Sequence, residues 1–106
     1  MESDMLFDWD EEKRNRAILE RGIDFIDAAF IWEDPFRQER VDGRRDYGEE
    51  RIQTIGKVSF GILLVVYTAR VREDGKDVIR IISVRKAGRK ERKEYETRTF
   101  SLRRIV

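Results

Sequence analysis

The chain has 106 residues, 40% hydrophobic and 42% charged, with a formal net charge of +1 and neither cysteine nor histidine. That length holds one modest core. The missing residue types exclude disulfides, thiolate metal sites and any mechanism that runs on an imidazole.

The near-neutral balance hides an asymmetry. Residues 1–50 carry 8 Lys/Arg against 16 Asp/Glu, whereas residues 85–106 carry 9 against 3. An acidic front and a basic back point to a polyanion-facing surface in the C-terminal half, and solvated helix faces account for the same counts. The acidic first ten residues lack the apolar stretch of a signal peptide. The longest apolar run, Ile62–Tyr67, is far below the roughly 20 residues a membrane helix needs. A cytoplasmic chain with no membrane role is the expectation.

The first helix is predicted from Asp8, whose carboxylate suits an N-cap, to Arg21, with Gly22 as the residue just past its end. Its apolar stripe (Trp9, Ala17, Ile18, Leu19) is thin. A second short helix fits Asp24 to Ile31, with Asp24 as N-cap, and Asp34-Pro35 stops it. Residues 36–48, with two glycines and many charges, read as a loop.

The period then changes. Glu50–Lys57 alternates, Phe60–Val71 is almost continuously apolar and suits a central strand buried on both faces, and Asp77–Lys86 follows the turn signal Asp74-Gly75. These three make an antiparallel meander. After Gly88, Arg89–Arg98 is a polar helix with little to pack. The tail residues Phe100, Leu102, Ile105 and Val106 either add an edge strand, dock on the sheet, or meet another chain. The predicted core holds Trp9, Phe25, Ile26, Ala29, Phe30, Ile62, Leu64, Val66, Ile79 and Ile81.

No nucleophile–histidine pair, phosphate-binding glycine loop, cofactor motif or metal constellation is present. The basic residues carry what chemistry there is. Arg51, Arg70, Arg80 and Arg85 are the candidate catalytic residues, binding phosphate and stabilising its developing charge; Lys57, Tyr67 and Lys86 are candidate substrate contacts. RNA brings its own nucleophile, the 2′-hydroxyl, so a protein need only position it and neutralise charge. Arg80 and Arg85 stand five residues apart, which on a flat strand sends them to opposite faces. Ordinary surface arginines paired with glutamates across strands explain the same residues.

Three blocks carry a family resemblance: Phe7-Asp8-Trp9-Asp10-Glu11-Glu12-Lys13 with Gly22-Ile23-Asp24-Phe25 and Ala28; Asp34-Pro35 with Gly48-Glu49-Glu50-Arg51, Ile55-Gly56 and Leu63–Thr68 with Arg70; and Ile79-Arg80-Ile81-Ile82-Ser83-Val84-Arg85-Lys86-Ala87 followed by Arg89, Glu91-Arg92 and Tyr95-Glu96. In this order and spacing, over about residues 6–96, the chain resembles the BrnT-type toxins of bacterial type II toxin–antitoxin pairs. It departs from them at Arg21, where the family has histidine, and at Ala17, where asparagine is usual.

The resemblance implies an α+β fold in which two N-terminal helices pack on a twisted antiparallel sheet of the RelE or microbial-ribonuclease type, with a C-terminal helix or strand. The whole chain, 1–106, is then one toxin domain. It also implies a metal-independent endoribonuclease without cofactor, an RNA substrate, and a cognate antitoxin that neutralises it and alone contacts DNA. A homodimer inside a toxin–antitoxin heterotetramer is one assembly the tail allows. The alternative is a catalytically weak or inactive module of the same fold that only holds a partner protein.

Overall fold

The computed structural model describes residues 5–43 and 48–102. Its architecture is α+β: a five-stranded sheet in the order β1-β5-β4-β3-β2, with helices on both faces. The strands are β1 (Leu6–Trp9), β2 (Gln38–Val41), β3 (Ile52–Val58), β4 (Gly61–Val71) and β5 (Asp77–Lys86). The helices are α1 (Glu11–Arg21), α2 (Phe25–Ala28) and α3 (Arg89–Thr97), with 3-10 turns at Ala29–Glu33 and Phe100–Leu102.

The meander β3-β4-β5 is antiparallel and sequential, as its alternation and the Asp74-Gly75 turn require. The sheet as a whole is mixed, because β1 runs parallel to β5 with Leu6 opposite Val78 and Trp9 opposite Ile81. The expectation of a purely antiparallel sheet fails here, and for the same reason the first helix starts later than predicted. Asp8 lies in β1, and the N-cap is Asp10, whose Oδ1 accepts from Glu12 N–H at 2.8 Å. Phe7 and Trp9 alternate with Asp8 and pack edge-on against Trp32 and Phe25. The short apolar–acidic alternation is therefore a strand signal that the cluster of helix-opening acids masks. A second correction concerns residues 36–48: Gln38–Val41 pairs with β3 as an edge strand, its polar side chains hiding the period.

Helix α1 ends as expected at Gly22, which adopts the left-handed conformation (φ 67°) that costs glycine little. Asp24 caps α2 by accepting from Ile26 N–H, and the Arg14 guanidinium grips the same carboxylate at 2.8 and 3.0 Å. That grip holds the Asp24 carboxyl below the usual carboxylate range and ties α1 to α2.

The helix after Asp24 is a single α turn that tightens to 3-10, so residues three apart share a face. Phe25, Ala28 and Ile31 are accordingly buried. Ile26 and Phe30, expected in the core, are 46% and 56% exposed, because the buried face runs through Phe25, Ala28 and Ile31 and leaves their neighbours outside. Trp9, Ala29, Ile62 and Ile79 are partly buried at the core's margin, and the remaining predicted core residues are buried.

The sheet carries two cores. On one face Ala17, Ile23, Phe25, Ala28 and Ile31 pack on Leu63, Val65, Ile81 and Val84. On the other, Tyr95 and Phe100 pack on Ile55, Leu64 and Ala87. The central strand β4 is thus buried on both faces, as its unbroken apolar run predicts.

Asp34 joins the layers. Its carboxylate accepts from Phe36 N–H (2.9 Å), from Lys57 N–H in β3 (2.7 Å) and from Tyr95 Oη in α3 (2.6 Å). Burial works to raise its pKa, but the donors outweigh burial and hold it low. Burial, and then the same contact, push the Tyr95 phenol up to about 12.

The polar segment expected to lack packing therefore docks on its own sheet. The tail follows it: Phe100 is fully buried, its N–H donating to Gln38 Oε1 at 3.0 Å, while Leu102 is 75% exposed. Ile105 and Val106 lie outside the described residues. No described helix is long and apolar enough to cross a membrane.

Two stability predictions follow from this packing. A Cβ added at Gly56 would meet Ile31 Cβ at 2.8 Å, so Gly56→Ala should cost about 1–3 kcal/mol by overpacking in urea unfolding. Phe100→Ala should cost about 3–5 kcal/mol and Leu102→Ala under about 0.5, which separates an intramolecular anchor from a free end.

Candidate active site

Strand β5 has one residue more than β4 can pair: Val66 lies opposite Ser83 and Tyr67 opposite Ile81, leaving Ile82 without a partner in register. This bulge cancels the parity expected of a flat strand. Ile81 and Val84, three apart, both enter the core under α1 and α2. Arg80 and Arg85, which flank them, are therefore directed to the opposite face, where Arg85 stands in register with Leu64.

The candidate arginines each meet a carboxylate. Arg80 lies 3.3 Å from Asp8 on the neighbouring strand. Arg51 and Arg70 share Glu49, at 3.7 and 3.6 Å, which brings the ends of β3 and β4 together. Arg85 forms a two-pronged contact with Glu91 at 2.7 Å for each pair of atoms, and Glu91 Oε1 also accepts from Gly88 N–H at 2.8 Å. The Arg85 guanidinium holds the Glu91 carboxyl below its ordinary value of 4.5, against the opposing effect of burial.

The other three candidates do not join them. Tyr67 points to the face under α1 and α2, edge-on to Trp32, and its phenol donates to Glu39 Oε2 at 2.7 Å. Burial, then that bond, raise its pKa strongly. Lys57 belongs to the far end of the sheet beside α3. Lys86 is exposed and lines none of the described grooves.

Beside the bulge, α1 and the sheet frame a groove of about 410 Å³. β1 stops at Trp9, so among the described residues β5 has no strand beside it on that edge beyond Ile81, and α1 runs along it. Arg21 Nη1 donates to Val84 O at 2.9 Å and so satisfies one edge carbonyl. Lys13, Arg16, Ala17, Glu20 and Arg21 recur at helical spacing and line one wall. Arg51 and Asp42 line another part of the groove, and Ile82 and Ser83 contribute from the bulge.

Among the described residues, four cations against two carboxylates give the groove a positive excess suited to a phosphodiester, and Ala17 keeps the helix wall low. Of the seven residues expected from sequence, only Arg51 lines it. Lys13, Arg16, Arg21 and Ser83 were not singled out as site residues. The signal that finds them is the 13-16-17-20-21 stripe of α1, too polar to be core yet one-sided.

The Arg85–Glu91 contact titrates. A carboxyl whose folded pKa is depressed contributes stability above its unfolded value and loses that contribution as pH falls through the folded value. Wild-type α3 should therefore loosen below about pH 4.5. Glu91→Gln should lower stability at pH 7 and remove that part of the acid dependence, as read by urea midpoints across pH 3–7. Parallel acid profiles for the two proteins would show that the pair contributes nothing to the titration.

A family model described as "Ribonuclease toxin, BrnT, of type II toxin-antitoxin system" matches residues 9–91. No curated protein sequence matches the chain significantly. The matched span includes every described residue of the groove and the whole of β5 with its bulge.

Proposed function

Since the chain belongs to the BrnT family of ribonuclease toxins of type II toxin–antitoxin systems, we propose that it is a metal-independent endoribonuclease of RelE-like fold that arrests growth in the cytoplasm. A cognate antitoxin neutralises it, and contact with DNA is made through that antitoxin. The observation that carries the reading is the groove between α1 and the bulge of β5, where Lys13, Arg16, Arg21 and Arg51 converge.

The chemistry needs little beyond that. The 2′-oxygen of one nucleotide attacks the adjacent phosphorus, forming a cyclic phosphate and breaking the bond to the next nucleotide's 5′-oxygen. The 2′-proton passes to a carboxylate of the groove, Glu20 being the one on the helix wall, and the departing 5′-oxygen takes a proton from solvent. Guanidinium forks bind the phosphoryl oxygens and stabilise the charge that grows on them. Arg51 holds the scissile phosphate. Arg70, Arg80 and Arg85 exchange their carboxylate partners for the flanking backbone. With Arg21 in the place of the family's histidine, this position stabilises charge instead of moving a proton.

The same replacement favours the second reading, a silent module that holds its partner through this surface, since Arg21 is already engaged with Val84 O. One experiment separates the two. The purified protein should cleave an RNA oligonucleotide in the presence of a chelator and spare its 2′-deoxy counterpart. Arg51→Ala should lower kcat/KM about 100-fold with unchanged unfolding midpoint. Absence of both RNA cleavage by the wild-type chain and growth arrest on its expression without an antitoxin would establish the silent module.

A further inference from the structure

A second basic groove lies away from the first and shares no lining residue with it. It encloses about 510 Å³ between α3 and the β3–β4 turn, and its lining includes Lys57, Arg89, Arg92, Lys93 and a single acid, Glu96. We propose that this groove is a track for the sugar–phosphate backbone of single-stranded RNA, holding the strand outside the reaction groove; the inference rests on the ribonuclease reading given above.

Three observations carry it. First, α3 sorts its charges. Glu91 and Glu94 turn toward the sheet, where they meet Arg85 and Arg40. Arg89, Arg92, Lys93 and Glu96 recur at steps of three and four and so form one stripe on the groove side. A helix merely polar for solubility has no need of this segregation.

Second, Lys57, Arg89, Arg92 and Lys93 make no ion pair or side-chain hydrogen bond among the described residues, whereas the candidate arginines of the sheet each have a carboxylate. Four like charges along one groove repel one another, and an added polyanion relieves that repulsion while releasing counterions.

Third, among the described residues the lining has no aromatic ring and only Ile62 as an apolar side chain of any size. Protein interfaces rest on buried apolar anchors, and base recognition rests on stacking platforms. This groove offers neither, so it fits a backbone, read without sequence preference.

The test uses an uncleavable probe, a 2′-O-methyl RNA of about 20 nucleotides, and measures its Kd by fluorescence anisotropy over a range of salt. Arg92→Glu, on the stripe, should weaken binding about tenfold and lower the slope of log K against log salt by about 0.7, one phosphate contact on a single strand. Lys90→Glu, the same charge change on the same helix but off the stripe, should leave both values near wild type. An unchanged Kd for Arg92→Glu, or an equal loss for Lys90→Glu, would overturn the proposal. Cleavage of the unmodified RNA by the wild-type chain, followed in parallel, judges the ribonuclease reading separately. Binding of the 2′-O-methyl strand does not depend on the reaction.

Discussion

The extra residue in β5 decides which way everything after it points. In a strand, a shift of one residue exchanges the two faces. Without the bulge at Ile82, Val84 would leave the core beneath α1 and Arg85 would enter it. With the bulge, Val84 is buried beside Ile81, and Arg85 reaches Glu91 at the start of α3. The direction in which α3 leaves the sheet, the second core under Tyr95 and Phe100, and the common face of Arg80 and Arg85 all follow from it. Bulges recur beside functional sites because they re-aim side chains without disturbing the rest of a ladder. Here the re-aimed strand also leaves Ser83 lining the groove that α1 closes.

The long apolar elements were legible in the sequence, and the short polar ones were not. β4 and β5 announce themselves by β-branched runs and a turn, and Gly22 and Asp24 mark helix ends by their conformational and capping chemistry. β1 and β2 have only four residues each, and their residues serve two descriptions at once: Asp10 and Glu11 open a helix as well as they end a strand. The exposure of Ile26 and Phe30 depends on which residues of a short helical segment face the sheet, which hydrophobicity alone does not reveal. At the candidate site, residue types pointed to arginine, but the parity argument separated Arg80 from Arg85 because a bulge leaves no mark in composition. Lys57, grouped with the arginines from sequence, belongs with α3 instead.

The high charge content has a physical use that counting does not show. Arg14 with Asp24, Arg80 with Asp8, Arg85 with Glu91, and Arg70 with Glu49 each connect two separate segments. Pairs of this kind add little stability when exposed, but they fix relative positions and hold the cations in place. Among the described residues, basic groups without such a carboxylate line both grooves, Lys13 and Arg16 on α1 and Lys57, Arg89, Arg92 and Lys93 beside α3. The acidic front half of the chain thus supplies partners to part of the basic back half, and what is left over is unevenly distributed.

The parallel pairing of β1 with β5 bears on the order in which the chain assembles. Leu6 meets Val78 and Trp9 meets Ile81, across most of the described sequence, whereas β3, β4 and β5 are joined by tight turns. Contacts between distant residues pay a loop-closure entropy that local hairpins escape. The meander is therefore the natural nucleus, with β1 and the helix behind it closing onto β5 late. On a ribosome, the N-terminal strand emerges first yet waits for its partner until β5 has followed, so α1 cannot line its groove before the meander is synthesised.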